Sequence, residues 1–359
     1  MYGYIFEWLI VVGCFVKCFN MYKIEEINGE RVYRWSILFA VILFFPIFWL
    51  ACMGKPLGDV PLYIDTYKKL PSTMVGILNY VSTMESGQGF VILEGAIKLF
   101  FGNNVTAFRV IIALIHSIPL IWIFRKYSED YWISIYLFVA SACHFGWMMN
   151  GLRQFIAVVM IFSALPFMIE KKYVKLTIIV LLASTIHFSA IFILPVVFIV
   201  QGKAWNFRTI MFIIASVVAM FLLNDNLTLA ESFLEGTEYA GSITAFQELG
   251  DDGVNPIRVL VSAVPMFLAF LDRKYIKYEK NRLIHICVNM SIVTVGLNLV
   301  AMVTSGIMVG RMAIYTSMYG FIIMPYLIKN GFTKNSQLIM NIAMIGCYFI
   351  YYCVEMGVL

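Results

Sequence analysis

Charge is scarce in this sequence. Asp, Glu, Lys and Arg make up 13% of its 359 residues, against roughly 25% in a soluble globular chain, which excludes a water-soluble fold. Segments of about ten residues with alternating polarity are missing too, and that excludes a transmembrane β-barrel. The seven cysteines, at 14, 18, 52, 143, 287, 347 and 353, form no Cys-x-x-Cys pair, so no zinc or redox motif is present. Most lie inside apolar runs, where a thiol serves as a small hydrophobe. The formal net charge of +5 gathers in no single patch, so nucleic acid is not expected as a partner. At the start, MYGYIFEWLIVVGCFVKCF has neither a basic leading region nor an A-x-A site. The expectation is a retained first helix and not a cleaved signal.

Hydrophobic residues fill the chain instead. They reach 61%, in runs near the ~20 residues that a helix needs to cross a bilayer. Ten runs stand out, at about 3–19, 35–53, 105–123, 131–149, 152–168, 209–223, 256–271, 283–304, 307–327 and 336–353. They predict an all-α polytopic membrane protein of about ten transmembrane helices, forming a single integral membrane domain over 1–359.

Basic loops give the orientation. RKYSED at 125–130, EKKYVK at 170–175, GKAWNFR at 202–208, DRKYIKYEKNR at 272–282 and KNGFTK at 329–334 join Lys17, Lys23, Arg31 and Arg34. Together they hold 18 of the 26 Lys and Arg residues. The positive-inside rule puts them in the cytoplasm, with both termini outside. A further apolar stretch, 174–200, is then flanked by inward segments at both ends. Its 27 residues are too few for two spans. It is expected to enter and return as a re-entrant helical pair meeting near STIHFS, 184–189, with His187 at the tip. Broken backbone survives at membrane depth only when buried in protein or lining a wet cavity. The alternative is one long tilted helix in breach of the charge rule.

The other eight basic residues, Lys55, Lys68, Lys69, Lys98, Arg109, Arg153, Arg258 and Arg311, fall at the outer face. Any one arginine can snorkel to the headgroups. Four together, against the charge bias, fit a polyanionic ligand better, because a planar guanidinium grips two phosphate oxygens at once. Helix starts add backbone donors. Arg109 and Arg153 sit near such starts, Arg258 follows an Asn-Pro pair, and Arg311 lies within VTSGIMVGRMAIY. The outer loop 54–104 is too long for a connector and too apolar for full solvation, so short amphipathic or re-entrant helices are expected on the outer face. Its carboxylates are Asp59, Asp65, Glu85 and Glu94. A lone loop Asp is ordinarily solvated or a cap, but Glu94 stands between VIL and GAIKLFF. Lys98, four residues on, is spaced for a helical ion pair with it. The second outer loop, 224–255, holds seven Asp and Glu and no Lys or Arg. A lid, a sugar-binding loop and a plain connector all fit it.

GLRQFIAVVMIFSALPFMIEKKY at 151–173, followed by LLASTIHFSAIFILP at 181–195, resembles the signature of EpsG-type membrane proteins, within the broad class of Wzy polysaccharide polymerases. Asp59, Tyr63, Asp65, Tyr67, Glu94 and the late GRMAIYTSMY fit the same pattern, in order over nearly the whole chain. The resemblance implies an enzyme of the bacterial inner (cytoplasmic) membrane with its active site facing the periplasm. It implies a glycosyltransferase that joins oligosaccharide repeat units, carried on undecaprenyl pyrophosphate, into capsule, exopolysaccharide or O-antigen. The implied partners are those lipid-linked oligosaccharides, membrane lipids, a chain-length regulator and a flippase.

Such a transfer needs cations for the leaving pyrophosphate and a base for the acceptor hydroxyl. Arg153 and Arg311, supported by Arg109 and Arg258, are the candidates for the first role. His187, Asp65 and Glu94 are the candidates for the second. His187 has the intrinsic pKa for base work near neutrality, and the carboxylates can alternatively hold sugar hydroxyls. No D-x-D and no cluster of His and carboxylates at ligand spacing occurs in the sequence. The expected reaction is therefore metal-independent and without cofactor. The rivals are a transporter or flippase of the same lipid, a ligase, and an O-acyltransferase using His144, His187 or His285. No internal repeat favours the transporter.

Overall fold

The computed structural model describes residues 3–27, 30–224, 232, 250, 253–306 and 309–357. The chain divides into two compact units, Met1–Ile191 with Phe349–Leu359, and Phe192–Tyr348.

In the first unit, α1 (Gly3–Cys18) leads into an antiparallel hairpin, β1 (Tyr22–Ile27) and β2 (Glu30–Trp35), in which Tyr22 faces Trp35 and Ile27 faces Glu30. The hairpin departs from the all-helical expectation. The sequence carries its signal, an Asn28-Gly29 pair between YKIEEI and ERVYRW, which is a strong short-range hairpin cue. A lone hairpin is marginally stable in water. This one is fastened to the end of α6 (Val105–Tyr127): Arg125 Nε donates to Trp35 O at 2.6 Å, and Arg34 Nη1 donates to the carbonyls of Arg125 and Lys126. Two basic segments expected on the same side of the membrane therefore meet.

Local capping explains where the long helices begin. The Ser36 hydroxyl accepts from Phe39 N at the start of α2 (Ile37–Met53). Asn104 Oδ1 accepts from Ala107 N at 3.0 Å at the start of α6. At ~1.5 Å per residue, α6 is about 35 Å long, enough to cross a ~30 Å hydrocarbon core. The segment between α2 and α6 folds into three short helices, α3 (Val60–Lys69), α4 (Met74–Ser82) and α5 (Gln88–Phe101), as the length and apolarity of 54–104 predict. Tyr67, fully buried, fastens α3: its ring stacks on Phe108 at 4.6 Å and its hydroxyl donates to Gly102 O at 2.6 Å. Such a ring pair contributes about 1 kcal/mol beyond its burial.

The next runs are broken. α7 (Tyr131–Ala140), capped by Asp130, and α8 (Cys143–Asn150) meet at 72°, with Ala142 at φ +54° between them. A non-glycine residue in that region costs roughly 1–2 kcal/mol, so the bend is imposed by the packing around it. Run 152–168 becomes α9 (Leu152–Ser163) and α10 (Leu165–Ile169). Stretch 174–200 becomes α11 (Tyr173–Ile186), a 3-10 turn over Phe188–Phe192, and α12 (Ile193–Val200). Its break falls at His187, inside the segment where the sequence places a reversal.

The second unit comprises α12, α13 (Phe207–Asn224), α14 (Pro256–Leu271), α15 (Arg273–Ile276), α16 (Arg282–Val303), α17 (Ile314–Gly331) and most of α18 (Lys334–Glu355). α16 is its axis, buried along most of its length against α12, α13, α14 and α17. Two buried hydrogen bonds tie polar groups of α16 to its neighbours: Thr294 Oγ1 with Thr316 Oγ1 at 2.7 Å, and Asn289 Nδ2 to Val200 O at 3.0 Å. α17 begins only at Ile314, so Arg311 belongs to the turns ahead of it, not to the interior of the helix expected over 307–327.

Among the described residues, α6, α16 and α18 are long and apolar enough to cross a membrane, and α7–α8 makes a fourth if taken as one bent span. Shorter apolar helices surround them. The chain is an α-helical membrane protein. In the acidic loop 224–255, residues 225–231, 233–249 and 251–252 lie outside the described residues, and the lid, sugar-binding and connector readings fall on them.

Candidate functional site

The site starts from α5, a helix of the segment between α2 and α6 and not among the described helices long and apolar enough to cross a membrane. Helical spacing puts Glu94 and Lys98 on one face, and both are buried, at 1% and 3% exposure. They do not pair, which corrects the expected ion pair. Lys98 Nζ donates to Tyr67 O at 2.9 Å and Lys68 O at 2.8 Å. Those carbonyls close α3, where helix ends leave acceptors open and a cation meets the negative end of the dipole. Glu94 Oε1 is left buried with no hydrogen-bond partner among the described residues. The charge acting on it comes from Arg153. Burial pushes the Glu94 carboxyl up to about 8 from its ordinary 4.5, against the opposing pull of Arg153. An unpaired buried polar group costs about 1–3 kcal/mol, more when charged, which makes Glu94 a candidate for a functional position.

Arg153 stands at the second position of α9, as its place after Asn-Gly predicts. It is half-buried, its Nε is enclosed without a hydrogen-bond partner, and it makes no hydrogen bond among the described residues. Gly87, at φ +77°, presses the start of α5 against it: a Cβ there would stand 2.8 Å from Arg153 Nη1. Only glycine adopts that conformation freely and leaves the room. α11 supplies the third side. A Cβ on Gly89 would overlap Thr185 Oγ1, two residues before His187. The depth is set by His116, whose Nε2 meets Leu152 O at 3.3 Å. His116 lies about 17 Å along α6 from its start, so the start of α9 is recessed along α6.

Other predicted residues fall elsewhere. His187 caps α11, half-buried, with Nδ1 and Ser189 Oγ 2.7 Å apart. Asp65 pairs with Lys69 at 2.6 Å on the surface of α3, its side chain 53% exposed. Asp59 sits at the start of α3, where its backbone N–H donates to Asn150 Oδ1 at 2.6 Å. Arg109 turns its Nη2 to Ala51 O at 3.3 Å and Gly54 O at 2.6 Å, closing the end of α2. Arg258, in the first turn of α14, and Arg311 belong to the second unit. They lie at the same end of it: Val254 N donates to Ala301 O at 3.1 Å, and a Cβ on Gly310 would stand 2.9 Å from Val254 Cγ2.

The structure thus joins Glu94, Arg153 and the His187 end of α11, and sets Asp65 apart. Gly87, Lys98, Asn150 and His116 support the site and were not read as part of it from the sequence. The available signals were slight, namely the paired glycines of SGQG and a lone imidazole in LIHSIP. Among the described residues, no group of three His, Cys, Asp or Glu side chains gathers as a metal site. A family model described as EpsG family matches residues 36–357. No curated protein and no solved structure matches the chain.

Proposed function

The chain belongs to the EpsG family, and from that premise we propose that it polymerises undecaprenyl-pyrophosphate-linked repeat units into a surface polysaccharide at the outer face of the cytoplasmic membrane. It does so as one integral membrane domain of about ten spans with a reversal at His187. The growing chain leaves its carrier lipid for a hydroxyl of the incoming unit. The bond from acceptor oxygen to donor C1 forms as the C1–oxygen bond to pyrophosphate breaks, and its electron pair stays on the pyrophosphate. The acceptor proton passes to the Glu94 carboxylate. Direct displacement inverts the anomeric centre.

Arg153 faces the developing pyrophosphate charge, which fixed cations in a water-poor site stabilise best. Arg311, Arg109 and Arg258 are supporting cations for lipid phosphate. A base works best with a pKa near the working pH, and Glu94, pushed up to about 8, meets that, whereas Asp65 is exposed and taken by Lys69 on the surface of α3. No metal or cofactor takes part, and a chain-length regulator and a flippase act beside the enzyme.

The observation that supports this reading is the buried Glu94 oxygen under the charge of Arg153, where among the described residues neither Glu94 Oε1 nor Arg153 Nε has a hydrogen-bond partner. The test is polymer length in cells carrying Arg153→Ala and Arg153→Lys. The alanine variant is expected in the membrane with only single repeat units formed, and the lysine variant falls short of wild type because a point charge lacks the guanidinium fork. Wild-type polymer in Arg153→Ala rejects the assignment. Export failure before polymerisation favours a flippase.

A further inference from the structure

We propose a second lipid-phosphate site in the first unit, at Lys55 and Arg109, that holds the carrier of the other substrate. It rests on the polymerase reading, in which donor and acceptor each bring a lipid pyrophosphate while Arg153 faces only the leaving one.

The site is a cavity of about 110 Å³, bounded by the end of α2, the 54–57 turn and α6, with Leu50, Leu57, Val60 and Met149 on its walls and Lys55 and Arg109 as its charges. That volume is far above the ~10–15 Å³ that one water needs, and it suits a phosphate with its first methylenes. Arg109 commits Nη2 to the α2 carbonyls, while its Nε is enclosed without a hydrogen-bond partner. A guanidinium with donors left over, beside the ammonium of the exposed Lys55, recognises a phosphate dianion or a pyrophosphate.

The outside of α2 extends the match. Phe45, Trp49 and Met53 recur every fourth residue on one face, 48%, 51% and 44% exposed, and end beside Leu57 at the cavity. An isoprenoid chain lying along that stripe would put its phosphate between Lys55 and Arg109.

The two sites share a wall. Val60 lines this cavity, Leu152 lines the smaller space behind Arg109, and both belong to the apolar cluster that includes Phe90 and Ile97 of α5. Glu94 and Arg153 stand on α5 and α9, the elements that supply those residues. The acceptor lipid here and the donor lipid at Arg153 are thereby held in one unit.

The test is saturation binding of polyprenyl monophosphate to the purified full chain in nanodiscs, with Lys55→Glu and Leu57→Trp as variants. Leu57→Trp fills the cavity and keeps both cations, and neither change removes the α2 cap. Each variant is expected to lose one equivalent of lipid that Arg153→Ala retains. The apparent KM for acceptor lipid is expected to rise about tenfold, the scale of one lost charge-assisted contact, with kcat held. Binding equal to wild type in both variants overturns the site and leaves the Arg153 reading standing. Loss of the equivalent from wild type when phosphatidylglycerol replaces phosphatidylcholine in the discs names a bulk headgroup as occupant and overturns the carrier assignment. Displacement by inorganic pyrophosphate alone does the same for a free anion.

Discussion

Replacing Glu94 with Gln keeps the side chain's shape and removes its titration. The folded protein holds the Glu94 proton to about pH 8, whereas an unfolded chain releases it near 4.5. Between those values folding takes up a proton, so the native state loses stability as pH rises through the window. A gap of about 3.5 pH units, at about 1.4 kcal/mol each, amounts to about 5 kcal/mol above pH 8. The amide stays neutral throughout and escapes that loss. Its fit beside Arg153 adds an offset that is the same at every pH. Apparent Tm of detergent-solubilised wild type and Glu94→Gln, measured from pH 4.5 to 9, is therefore expected to diverge as pH rises, with the variant gaining. The same variant is expected to make no polymer. Parallel Tm curves would refute the buried titrating carboxyl, and full polymer would refute its role as base.

Gly87→Ala sets a Cβ 2.8 Å from Arg153 Nη1 at φ +77°, a conformation that itself costs roughly 1–2 kcal/mol; polymer is expected to drop while the protein stays in the membrane, and unchanged polymer would displace Arg153 from the site. Lys98→Met removes two hydrogen bonds from the end of α3 and is expected to cost about 2–3 kcal/mol, read as a lower Tm at pH 7; a melt equal to wild type would show that the α3 carbonyls need no cap. Membranes treated with EDTA are expected to keep polymerising, whereas full loss restored by Mg²⁺ would overturn the metal-free mechanism.

Much of the architecture was legible because hydropathy and capping are local. The runs around α2, α6 and α16 begin where Ser36, Asn104 and Asn281 offer side-chain acceptors to the first turns. Arg153 at a helix start and a break near His187 follow from Asn-Gly spacing and from basic flanks too close for two spans. The Asn28-Gly29 cue for the hairpin was present as well, and hydrophobic runs on both sides overshadowed it. The α7–α8 bend left no comparable mark, because apolar residues fill both arms and only packing decides where a buried helix turns.

Composition and the order of residues by themselves determined an α-helical membrane protein and its family, since hydropathy and motif depend on residue type and order alone. Tertiary structure decided the site. Helical spacing offered Lys98 to Glu94, but the α3 carbonyls, distant in sequence, took the ammonium. Glu94 was thereby left to a charge on another helix. Desolvation and the nearest opposite charge are sums over spatial neighbours, which no local stretch of sequence specifies, and those sums set whether Glu94 is ionised.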